Sequence, residues 1–193
     1  MLKIGPGHDV VYTDVDLGSL TTVVCDAHDI PFKDASFDFV ACISVLEHVA
    51  DPYRCTAEIH RVLRADGCVY AVTPFMPQVH MGAYDFTRFT HLGPRRLSRR
   101  FIELRSGVSC GPGMALTWSI ERFVSGFATQ PRTRSALRTL ARFLAFPIKY
   151  FDWILARRPS AYDSASSYYF FGRRADTVLS DRELVRTYRG VVR

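Results

Sequence analysis

The first third of the chain alternates short apolar runs with glycine, proline and acid. Val10-Val11-Tyr12-Thr13-Asp14-Val15-Asp16, Thr22–Cys25 and Phe37–Ser44 are rich in β-formers, and Leu2-Lys3-Ile4 before Gly5-Pro6-Gly7 reads as a shorter strand ending in a turn. Such near-continuous apolar runs suit strands covered on both faces, as in a parallel sheet. At Asp51-Pro52 the period changes. Asp is an N-cap residue and Pro fits the first helical turn. Cys55, Ile59, Val62 and Leu63 then fall at i, i+4, i+7 and i+8, on one helical face. Gly67 stands where a left-handed C-cap is wanted. Cys68–Thr73 is again a strand, ended by Pro74. Strand, helix, strand in this order predicts a right-handed βαβ crossover.

Further on the pattern is less regular. Residues 74–93 read as a loop rich in Pro, His, aromatics and Gly; Pro94–Phe101 reads as a short basic helix and Ile102–Val108 as a strand or turn. Residues 111–131 carry no clear period. Thr133–Arg158 reads as a helix broken or kinked at Pro147, Ser167–Arg173 as a late strand, and the last twenty residues as a polar tail prone to fraying.

An open parallel sheet binds ligands beyond the carboxyl ends of its strands. The residues expected there are Gly5-Pro6-Gly7-His8, Asp16, Asp26-Ala27-His28 and Ser44-Val45-Leu46-Glu47-His48. Each group is small or hydrogen-bonding. The polar segment Asp26–Phe32, set between two apolar runs, is therefore expected to be a strand end facing a ligand. Taken singly, Asp16, Asp26 and Asp29 are equally ordinary turn formers.

These residues carry a resemblance. The stretch from Asp26 to Pro74 resembles class I S-adenosylmethionine-dependent methyltransferases of the type 11 kind, which commonly read D-A-x-x-L-P-F, S-F-D, L-x-H-V, D-P and R-V-L-K-P-G-G in order. Asp26, Ala27, Pro31, Phe32, Phe37, Asp38, Leu46, His48, Val49, Arg61, Val62, Leu63 and Gly67 fall in register. Relatives with a shortened N-terminal region share P-F-x-x-x-x-H, Y-D-x-x-R-F-T and G-x-x-x-L, here Pro74–His80, Tyr84–Thr90 and Gly93–Leu97. The chain departs from the family at Lys3, where an acid is usual, in lacking a third glycine, and in the short step from Gly7 to Asp16.

The resemblance implies an α/β fold: a Rossmann-like, mostly parallel sheet flanked by helices, here with a C-terminal helical extension. It implies S-adenosyl-L-methionine as cofactor, with Gly5 and Gly7 under the methionine part, Asp16 on the ribose hydroxyls and Leu17 beside the adenine. Asp26 would accept from the adenine amino group, the Ala27 backbone would read the ring, and Ser44 would lie near the methionine tail. His48 would pack near the cofactor without acting as a base. The acceptor would meet the loop after the fifth strand, where His80, Tyr84, Asp85, Arg88 and His91 lie. His80 or Asp85 is a candidate base, and Arg88 a candidate clamp for a carboxylate or phosphate. The competing reading pairs Asp85 with Arg88 to pin the loop. His60, on the helix, is expected to be exposed. The histidines and cysteines show no ligand spacing, so no metal site is expected.

Charge then divides the chain. Residues 1–93 hold 6 Lys/Arg and 12 Asp/Glu (net −6), and residues 94–193 hold 19 and 7 (net +12). Between Arg132 and Arg158, six Arg and Lys149 face one acid, Asp152, interleaved with Leu, Phe, Tyr, Ile and Trp. Basic residues with Trp and Phe on a helix suit an anionic membrane surface. A lid burying the same apolar residues on the sheet is the alternative. Nucleic acid is not expected, since no recognition module accompanies the basic residues. The expected organisation is a cofactor-binding core over 1–110, a helical lid or membrane-surface insertion over 111–160, and a late strand and tail over 161–193. The five cysteines include no C-x-x-C pair and read as buried thiols in a reducing compartment. The start of the sequence lacks a signal-peptide pattern, so a cytoplasmic location with peripheral membrane contact through 132–158 is expected. The expected activity is methyl transfer to a small-molecule or lipid-linked acceptor. The alternative is a non-catalytic, degenerate version of the fold that docks on a membrane or protein partner.

Overall fold

The computed structural model describes residues 9–191. The Leu2–Ile4 strand and the turn holding Gly5 and Gly7 therefore lie outside the described residues. Two short strands, β1 (Thr13–Asp14) and β2 (Val23–Val24), pair in parallel. A second sheet contains β3 (Phe37–Ile43), β4 (Leu63–Pro74), β5 (Phe101–Cys110) and β6 (Ser167–Arg174). Its order is β3-β4-β6-β5. β3 and β4 run parallel, with Val40 beside Val69 and Cys42 beside Ala71. The late strand β6 enters antiparallel to both neighbours and so belongs to the central sheet.

Helix α1 (Pro52–Val62) joins β3 to β4. The Asp51 carboxylate accepts from the N–H groups of Tyr53 and Arg54 at 3.0 and 3.1 Å, satisfying two donors that the helix itself leaves unpaired. The expected left-handed cap at Gly67 is not formed. The chain turns straight into β4 at Leu63, and Gly82 has the positive φ found among the described glycines. Gly67 serves close approach instead: a Cβ there would lie 3.0 Å from both the Arg64 carbonyl oxygen and the Leu63 side chain.

One face of the sheet carries the core. Val69, Ala71 and Phe170 pack with Cys42, Leu46, Cys55, Ile59, Leu63, Phe89, Leu97 and Phe101, under α1 and α2 (Leu92–Leu97). Burying these side chains supplies the main driving force for this half of the molecule. His60, expected on the surface, is buried here. Its Nε2 lies 2.9 Å from the Ala175 carbonyl and its ring meets Phe101 edge-on, because α1 is covered where the chain returns after β6. Burial pushes its pKa down. The expected cover on both faces is also not seen among the described residues. Phe39 and Ile43 remain exposed on the opposite face, and Tyr70 stacks on Tyr169 half-buried. Of the five cysteines, Cys42 and Cys55 are buried, with burial pushing both thiols up to about 12; Cys25 and Cys68 are half-buried and Cys110 is exposed, contrary to expectation.

The segment without a clear period forms α3 (Pro112–Gly126), which packs against α4 (Pro131–Ala145). As expected the helical run breaks near Pro147, into a 3-10 turn (Phe146–Phe151) and α5 (Asp152–Leu155). The break returns Asp152 to the start of α3, where its carboxylate accepts from the N–H groups of Gly113 and Met114 at 2.6 and 2.9 Å. A Cβ at Gly113 would stand 2.9 Å from that carboxylate, so the cap needs glycine. The tail expected to fray instead forms α6 (Asp181–Arg186), started by a reciprocal capping box between Ser180 and Glu183.

Candidate functional site

The polar segment after β2 is built by three side chains. Asp26 Oδ1 accepts from the His28 backbone N–H at 2.9 Å and meets the His28 ring Nδ1 at 2.5 Å. His28 Nε2 accepts from the Asp51 N–H at 3.0 Å, which places the ring proton on Nδ1, donated to Asp26. These contacts hold the Asp26 carboxyl below the usual carboxylate range. They also tie the end of β2 to the start of α1. The second Asp26 oxygen has no protein partner among the described residues, and the side chain is 63% exposed. That oxygen is an open acceptor.

Arg61 fastens the rest of the segment. Its five N–H groups reach Glu58 (2.8 and 2.7 Å), the carbonyls of Ile30 (2.8 Å) and Phe32 (2.7 Å), and Asp34 (2.8 Å). Glu58 in turn accepts from the Ile30 N–H at 2.9 Å. Asp16 and Leu17 follow β1 in a turn where Thr21 Oγ1 accepts from the Gly18 N–H at 3.0 Å. Both are exposed, Leu17 at 84%. At the end of β3, Ser44 holds a left-handed backbone with φ +54°. Such a conformation costs a non-glycine residue energy and recurs at ligand-binding positions.

The loop after β4 closes on the same edge. His80 Nε2 lies 3.0 Å from His48 Nε2, and the Phe86 N–H donates to the Glu47 carbonyl at 2.9 Å. The ends of β2, β3 and β4 are thus stitched in series through His28–Asp51 and His48–His80. Arg88 forms a two-pronged pair with Asp85. Its remaining N–H groups reach the carbonyls of Pro77 (2.9 Å), Thr87 (2.9 Å) and Gln78 (3.3 Å). All five donors are used, so the guanidinium pins the loop and has none left for an acceptor anion. Arg88 holds the Asp85 carboxyl down to about 2. Asp85 also accepts from the His80 N–H at 2.9 Å, so both Asp85 and Arg88 are engaged within the loop. His91 stands apart, with its ring against Tyr162 and Tyr168.

Sequence reasoning named Glu47 without a role and missed what surrounds it. Its side chain is 0% exposed, both carboxylate oxygens lack a hydrogen-bond partner, and burial pushes its pKa up. The L-E-H-V and P-F-x-x-x-x-H patterns each contained part of this cluster, but only the fold joins them.

Residues 7–71 match the family model described as Methyltransferase domain. The Burkholderia thailandensis 1,6-didemethyltoxoflavin-N1-methyltransferase, solved with 1,6-didemethyltoxoflavin and S-adenosylhomocysteine, is similar in structure with a TM-score of 0.51 at 15% identity. The fold is similar to that of this methyltransferase. The likeness spans 88% of this chain and 63% of that one. The [4+2]-cyclase SpnF has a TM-score of 0.47 at 15% identity, over 79% of this chain and 55% of its own. The Haemonchus contortus phosphoethanolamine N-methyltransferase 2, solved with S-adenosyl-L-methionine, has a TM-score of 0.45 at 16% identity, over 79% of this chain and 36% of its own. The chain therefore spans about a third to two thirds of the length of these proteins. Within the methyltransferase fold, Asp16, Asp26, Ala27 and Ser44 follow the ends of three successive strands.

Proposed function

We propose that this chain binds S-adenosylmethionine at the ends of β1, β2 and β3 and transfers its methyl group to a lipid-linked or small amphiphilic acceptor. The observation that carries the reading is the Asp26 carboxylate, fixed by His28 through one oxygen and open through the other. That open oxygen fits the adenine amino group, and the exposed Asp16 beyond β1 fits the ribose hydroxyls. Leu17 offers apolar contact to the adenine, the Ala27 backbone a polar contact to the ring, and Ser44 a hydroxyl near the methionine tail. Gly5 and Gly7 complete the proposed site outside the described residues. When bound, the sulfonium supplies an electrophilic methyl group. The protein then has to align the acceptor for in-line displacement and receive any proton the acceptor loses. His80 is placed for that proton, and Asp85 and Arg88 position His80.

The acceptor class rests on the helical unit. Phe143 and Trp153 are 77% and 78% exposed, and Phe123, Phe127 and Leu144 are exposed as well. α4 buries Ala141 and Ala145 and leaves Leu140, Phe143 and four arginines exposed. A lid folded down on the sheet would hide these side chains; a surface resting on anionic lipid would use them. No helix among the described residues is long and apolar enough to cross a membrane. Ser119 on α3 accepts from Gln78 at 3.0 Å, a tie to the loop after β4 that supports reading residues 111–160 as an insertion beside it. The test is methyl-labelled S-adenosylmethionine with a total membrane lipid extract. Label entering the organic phase, and lost in Asp26→Ala, is expected. Label confined to water with folded chain would overturn the lipid acceptor.

A further inference from the structure

Glu47, His48 and His80 place three ligand-type atoms within 4.8 Å of one another. His48 Nε2 and His80 Nε2 are 3.0 Å apart, and Glu47 Oε1 lies 3.7 Å from the first and 4.0 Å from the second. Metal–ligand arms of about 2.0–2.1 Å in a tetrahedron give edges of about 3.3–3.4 Å, inside that range. Small side-chain shifts would close the triangle.

The protonation pattern points the same way. His48 Nδ1 sits 2.8 Å from the Tyr84 carbonyl, which can only accept, so Nδ1 carries the proton and neutral His48 presents a bare Nε2. His80 Nδ1 lies 3.5 Å from both Asp85 Oδ2 and the Arg88 guanidinium, and its Nε2 faces the bare nitrogen of His48. Without an ion, His80 Nε2–H can donate to the bare His48 Nε2 across this 3.0 Å gap, and an ion would take the place of that proton. The buried Glu47 carboxylate adds the negative charge, and both its oxygens lack partners. Leaving such a group unpaired is costly, and coordination removes the cost.

We propose that Glu47, His48 and His80 bind a divalent transition-metal ion of the zinc class, with a fourth position left for water. Two imidazoles and one carboxylate are an established ligand type for zinc. The ion would join the end of β3 to the loop after β4, at the edge where the acceptor is expected. The inference uses no part of the cofactor reading, and it replaces the proton-accepting role of His80, whose Nε2 the ion would occupy.

The test is titration of chelator-treated full chain with Zn2+ and Co2+ alone, read by competition with a chromophoric chelator and by the visible spectrum of bound Co2+. One equivalent should bind, with a tetrahedral Co2+ spectrum and a rise in melting temperature on Zn2+. His48→Ala and His80→Ala should each lose at least ~100-fold in affinity, in line with the steep dependence of such sites on each imidazole. Glu47→Gln should weaken binding with little change in shape. His80 lies on a partly exposed loop, so H80A keeps the test valid should E47Q or H48A fail to fold. No stoichiometric binding by the folded chain, or binding unchanged in H80A, overturns the proposal.

Discussion

Arg61→Ala separates the segment bearing Asp26 from the helix that holds it. Arg61 donates to two partly buried backbone carbonyls, those of Ile30 and Phe32, at 2.8 and 2.7 Å. Each such bond contributes about 1 kcal/mol net. The fork onto Glu58, whose side chain is largely covered, adds about 1–2 kcal/mol. The bond to exposed Asp34 contributes close to nothing. The substitution should therefore cost about 3 kcal/mol, which for a domain of this size lowers Tm by about 6–12 °C. Asp34→Ala should change stability by less than about 0.5 kcal/mol. Arg61→Lys keeps the charge but not the fork, and should recover less than half of the loss. Urea unfolding followed by far-UV circular dichroism measures each step. Arg61→Ala within about 0.5 kcal/mol of the parent would refute the claim that Arg61 fixes this segment.

Ser44→Gly should stabilise the chain by up to about 1 kcal/mol by relieving the left-handed backbone at φ +54°, while weakening cofactor binding if the hydroxyl contacts it; urea unfolding and ligand titration read the two effects separately. Asp152→Ala should cost about 1–2 kcal/mol by uncapping α3, with helical circular dichroism lost at lower temperature than the rest of the signal. Asp85 is held down to about 2 by Arg88, against an ordinary value of 3.8. Its folded pKa is depressed, so its stabilisation is present above about pH 4 and is lost as pH falls toward 2. Asp85→Asn should flatten that part of the stability–pH profile. Phe143→Glu with Trp153→Glu should abolish co-sedimentation with anionic vesicles and leave Tm nearly unchanged, since both side chains are exposed.

The strands and α1 were legible because local pattern and packing agree there. Phe37–Ile43 and Cys68–Thr73 are apolar runs, and Asp51-Pro52 is a helix start that the structure uses as read. α3 was not legible: the side it buries holds Gly113, Ala115, Thr117, Glu121 and Ser125, while Leu116, Trp118 and Phe123 stay exposed, so no apolar stripe marks the packed face. The capping box at Ser180 and Glu183 was present in the sequence as S-x-x-E, yet the polar composition around it suggested a tail. Gly67 was misread because a glycine after a helix serves either handedness or space, and only neighbouring atoms tell which. His60 was misread because what covers it comes from Ala175, far along the chain. At the candidate site, Asp26 was singled out from its place after a strand, and the structure places it after β2. The roles of Arg61 and Arg88 depend on backbone carbonyls brought together by folding, and composition carries no trace of those. Glu47, His48 and His80 escaped notice as a cluster because two are adjacent and the third lies on a distant loop, so no short spacing joins them.

The central claim is that the ends of β1, β2 and β3 form a cofactor site. Calorimetric titration of the purified chain with S-adenosylhomocysteine, beside Asp16→Ala and Asp26→Ala, tests it most directly. The account predicts saturable one-to-one binding by the parent and a loss of about tenfold or more in each variant, the weight of one or more hydrogen bonds to the ligand. A folded parent that binds nothing, or an Asp26→Ala chain that binds as tightly as the parent, would contradict it.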